Sequence, residues 1–105
     1  KWTKDKPNPK LVKALSDQLT AAKTELDVVK IAYDTENAAA ATYLFALGAL
    51  TSADALKLTA SILPIESAHA VVLAGVLGLA ATDMSYLPAY ETDKAALTPS
   101  AFPLA

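Results

Sequence analysis

The sequence predicts an all-α fold, an antiparallel helical hairpin followed by an extended tail, and three observations carry that expectation. Apolar residues recur every three or four positions over two long stretches, as one face of a helix requires. The first of these stretches is alanine-rich and has no internal Gly or Pro between Pro9 and Gly48, while prolines cluster at the two ends of the chain. The chain is also 53% hydrophobic over 105 residues, which suits one domain of packed helices rather than a disordered chain.

The elements follow in chain order. Residues 1–8 form a polar leader, and Asn8 is placed to cap a helix whose first position is Pro9, where a missing N–H costs nothing. The helical pattern then runs to about Leu50 along the seam Leu11, Leu15, Leu19, Ala22, Leu26, Val29, Tyr33, Glu36, Ala40, Tyr43 and Leu47. As one rod it would be roughly 60 Å long. A break near Thr24–Asp27 would shorten it, whereas the continuous phase of the seam favours one helix, so both alternatives stand. Thr51 or Ser52 caps the next helix, with Asp54 favoured by the dipole of its first turn. Its seam runs Ala55, Thr59, Ile62, Glu66, His69, Leu73, Val76 and Ala80, and Pro64 inside it removes one ladder bond and predicts a kink before Glu66. The hairpin is expected to span residues 9–81. From residue 82 to 105 prolines punctuate a tail expected to lie along the bundle through Tyr86, Tyr90, Phe102 and Leu104.

Three members of the two seams are acidic or basic: Glu36 on the first, Glu66 and His69 on the second. A turn near Leu50 and Thr51 leaves Glu36 and Glu66 each about 15 residues away, or roughly 22 Å along antiparallel helices, so the two carboxylates meet at one level. His69, three residues past Glu66, shares its face one turn on. This Glu-x-x-His step opposite a further Glu is the arrangement that carboxylate metal centres in helical bundles use, and hard oxygen ligands with one imidazole suit iron or manganese. Tyr33 and Tyr43, one and two turns from Glu36, read either as hydrogen-bond donors beside the ligands or as core aromatics.

Composition narrows the remaining choices. Nine lysines stand against eleven acidic residues, and there is no arginine, which removes the bidentate clamp for phosphates and base edges and argues against nucleic-acid binding. There is no cysteine, so disulfides and thiolate metal sites are excluded. The apolar stretch from Ser67 to Ala81 is short and follows Glu66, so no transmembrane segment is expected. No Gly-rich phosphate loop and no serine-nucleophile motif is present, and one histidine leaves few acid–base options. A start at Lys1-Trp2 suggests a processed or incomplete chain.

Glu36 with Tyr43 seven residues on, and then Ser61-Ile62-Leu63-Pro64-Ile65-Glu66-Ser67-Ala68-His69-Ala70, resemble the second half of a ferritin-like domain. By pattern the chain is similar to the often exported ferritin-like proteins that include desiccation-associated members. The resemblance covers about Leu26 to Leu104. It implies half of a four-helix bundle, in which Glu36, Glu66 and His69 are metal ligands of a di-iron or di-manganese site with ferroxidase or peroxide-consuming activity, and it implies an exported protein. Because only one ligand set is visible, it also implies completion of the bundle by an identical chain or by another helical pair. The alternative is a metal-free structural or interaction subunit on a degenerate ferritin-like fold.

Overall fold

The computed structural model describes residues 6–79, 96–98 and 100–103. Among these residues there are three helices, α1 (Pro9–Ala21), α2 (Glu25–Ala49) and α3 (Ala53–Val76), and no strand. Asn8 starts the first: its Oδ1 accepts from the N–H groups of Lys10 and Leu11 at 3.0 and 3.2 Å, and Pro9 occupies the first helical position.

The first stretch is two helices, so the break alternative holds. Thr24 and Asp27 form a reciprocal capping box: Thr24 Oγ1 accepts from the Asp27 N–H at 3.1 Å, while Asp27 Oδ2 accepts from the N–H groups of Thr24 and Lys23 at 2.8 and 2.9 Å. These bonds satisfy donors that a continuous helix would have satisfied internally, and they outweigh the continuity of the apolar phase. Asp27 is therefore part of a solvent-exposed cap. The backbone bonds from Lys23 and Thr24, with the Thr24 hydroxyl, hold its carboxyl below the ordinary 3.8. A lowered folded-state pKa contributes stability above the ordinary value and loses it as pH falls through the lowered one. Thr24→Ala should cost about 1 kcal/mol in chemical denaturation at neutral pH. It should also flatten the acid limb of stability below pH 3.8, and an unchanged limb would count against the box.

The hairpin itself is α2 and α3, joined by Leu50–Ser52. Ser52 supplies the cap, its Oγ accepting from the Ala55 N–H at 3.4 Å, and Asp54 stands in the first turn. The helix continues through Pro64 to Val76. It ends in a Schellman turn: Leu79 N–H donates to Ala74 O and Gly78 N–H to Gly75 O, with Gly78 at φ +73°, a conformation that other residues adopt only with strain.

Packing between α2 and α3 is made by small side chains. Ala40, Ala41 and Ala70 are wholly buried and Ala74 nearly so, and Tyr33 closes the far end of the contact with Ala70, Ala74, Leu73, Leu77 and Leu79. Alanine at facing positions lets two helices approach closely, which brings the larger side chains beside the contact into reach of one another. The face of α3 against α2 is Thr59, Ala70 and Ala74, about one residue around from the Glu66–His69 row read from the sequence. That row lies along the edge of the contact.

Much apolar surface stays uncovered. Among the described residues no large side chain is fully buried, and Leu58, Ile65, Val71, Val72 and Val76 of α3 are half or more exposed, or close to it. Among the described residues α3 is the one helix long and apolar enough to cross a membrane by length and composition, a property that core helices of soluble proteins share. Glu66 and His69 at its middle are among the residues most costly to place in hydrocarbon.

The described tail residues hydrogen-bond to Thr42 of α2 and to Asn8, the cap of α1. Leu97 N–H donates to Thr42 Oγ1 at 2.7 Å beside the buried Ala96. Asn8 Nδ2 donates to the carbonyls of Phe102 and Pro103, each at 3.2 Å, so one side chain both caps α1 and holds the tail. Phe102 is half-buried. Tyr86, Tyr90 and Leu104, the other expected anchors, lie outside the described residues.

Candidate metal centre

Equal distance from the Leu50–Ser52 turn sets Glu36 and Glu66 side by side. Each sits near the middle of its helix, and the alanine contact below them fixes the separation of the two backbones. His69 follows Glu66 by three residues, so its ring rises on the same face of α3. Its Nδ1 lies 3.4 Å from Glu36 Oε1 and 3.8 Å from Glu66 Oε2. One donor atom from each of the three residues falls within 4.8 Å of the others.

The cluster is open on one side. Side-chain exposure is 25% for Glu36, 22% for Glu66 and 55% for His69, so the carboxylates are sheltered by the hairpin and the imidazole stands at its edge. Electrostatics in the free hairpin favour a shared proton. The hydrogen bond with the Glu36 carboxyl, then burial, then the Glu36 charge push the Glu66 carboxyl above the ordinary 4.5, and His69 offsets part of this. A raised folded-state pKa gives stability that is complete below the unfolded value and is lost as pH rises through the raised one. Metal-free protein should therefore lose stability as pH climbs from 4.5 through that value. Glu66→Gln should remove this slope in thermal melts run with a chelator, and a slope that persists in the variant would assign it elsewhere.

Tyr33 and Tyr43 differ in burial. Tyr33 is buried among Ala70, Ala74 and the leucines at the end of the hairpin, and Tyr43 is half-buried. Sequence reasoning missed Asn37, which stands next to Glu36 and whose buried Oδ1 has no hydrogen-bond partner. An Asn among alanines was the signal available for it.

A charged Glu on one helix opposite Glu-x-x-His on the next, on a hairpin with an uncovered apolar edge, is what one half of a four-helix carboxylate bundle presents. The sequence model of the ferritin-like domain family matches residues 5–79. The chain belongs to the ferritin-like domain family. Neither the curated proteins nor the solved structures give a match. Within the ferritin-like frame the described residues supply one long hairpin and one short helix, which is part of such a domain.

Proposed function

We propose that this ferritin-like module binds iron or manganese through Glu36, Glu66 and His69, in a two-ion site completed when a second helical pair covers its open face. The observation that supports this most is the meeting of two carboxylates and one imidazole nitrogen within 4.8 Å in a sheltered position. The donor set fits a divalent ion. Two oxyanions side by side repel, which pushes the Glu66 carboxyl up, and a dication would relieve that repulsion.

Glu36 and Glu66 would supply the negative oxygens and His69 its Nδ1, leaving the Nε2–H at the exposed edge to donate outward. Bound iron or manganese would supply one-electron chemistry of the kind that oxidises ferrous iron or reduces oxygen or peroxide. The chain's own part is to hold three donors at fixed distances and to shelter most of each carboxylate side chain from water.

The uncovered stripe beside the site supports the second helical pair. Leu58, Ile65, Val72 and Val76 recur along α3 at helical spacing on the side where His69 stands. An identical chain or a different helical chain would bury them.

The test is metal content. Protein prepared without added metal and then offered iron(II) or manganese(II) should retain ions, with anomalous scattering beside Glu36, Glu66 and His69, and should turn over ferrous iron or peroxide. An empty site after such loading, with the three side chains bonded only to each other, would leave a metal-free structural subunit as the reading.

A further inference from the structure

We propose that Glu36, Glu66 and His69 load one divalent ion by themselves, before a second helical pair covers their open face. This rests on the metal-binding reading above and adds the order of events.

The first ground is that the site owes nothing to a partner. All three donors come from α2 and α3, which pack within one chain through Tyr33 against the buried Ala70 and Ala74. Little reorganisation is left for a second chain to perform. Three donors also leave coordination positions for water, which an octahedral ion of the iron or manganese type needs.

Access is the second ground. His69 is 55% exposed, and Glu36 and Glu66 keep about a quarter of their side-chain surface in solvent. A partner seated on Leu58, Ile65, Val72 and Val76 would close that approach.

Charge is the third. When ionised, an empty site brings two like charges to the edge of an apolar contact, where unpaired charge is expensive. A divalent ion cancels the two carboxylates. The stripe can then be buried without that cost.

Non-denaturing mass spectrometry of the 105-residue chain titrated with cobalt(II), alongside its visible absorption, separates the outcomes. Both wild type and Leu58→Asn/Val72→Asn are used, the latter because polar groups on the exposed stripe disfavour association without touching the donors; far-UV circular dichroism confirms that it folds. The expected result is a monomer carrying one cobalt ion, lost in Glu66→Gln. Cobalt found only in dimers or larger species, with the monomer empty, overturns the order proposed and leaves the two-ion site standing. Cobalt in no species removes both. Ions that persist on the Glu66→Gln monomer mark surface binding and overturn the proposal as well.

Discussion

Glu66→Ala is expected to cut metal affinity by roughly a hundredfold or more, since it removes a donor itself rather than a group that orients one, and groups that orient donors already contribute 10–100-fold. The metal-free fold should not suffer. Glu66 sits at the edge of the α2–α3 contact, and its loss relieves the like-charge pair with Glu36, so apo stability at neutral pH should hold or rise. Opposite signs for apo stability and metal uptake separate a lost ligand from a lost fold. Tyr43→Phe is the companion variant: Tyr43 lies two turns from Glu36 and offers no atom to the donor set, so metal should stay. Isothermal titration with manganese(II) and denaturation with a chelator measure both quantities. Undiminished uptake in Glu66→Ala would remove Glu66 from the site.

The hairpin was legible because its signals are local and repeated. Helical spacing, the Ser52 cap and the equal arms around Leu50–Ser52 all depend on residues near in sequence, and the meeting of Glu36, Glu66 and His69 follows from counting along two helices. The break before Glu25 was legible too, in Thr24-x-x-Asp27, but an unbroken apolar phase pointed the other way. Phase reports which face a residue would take if a helix continued. Caps decide whether it does.

Rotation of α3 was harder to read. Wholly buried residues in the α2–α3 contact are alanines, and in a chain this rich in alanine they carry little contrast against their neighbours, whereas Ile65, Val72 and Val76 look like core and are exposed. Those large side chains mark a face left exposed among the described residues, and the alanines mark a covered one. The attachment of the tail to Asn8 and Thr42 joins residues 94 and 55 positions apart, and no periodicity connects them.

Ala70→Leu should be the most damaging single change outside the donors. Ala70 is wholly buried between α3 and Tyr33 of α2, with Ala74 one turn on, and the contact has no space for three more carbons. Overpacking of this kind costs about 1–3 kcal/mol, which for a domain of this size lowers Tm by roughly 4–8 °C per kcal/mol. The consequence reaches the site through the backbone. Glu66 lies one turn before Ala70, so a helix pushed away at position 70 carries Glu66 and His69 away from Glu36, and three unaltered donors no longer converge. Metal uptake should fall although no donor has changed. Ala68→Leu is the control: that residue faces solvent, and stability should stay within about 0.5 kcal/mol. Calorimetric melts and manganese(II) titrations of the two variants decide the matter. If Ala70→Leu keeps both its Tm and its metal, the alanine contact does not set the distance between the two carboxylates.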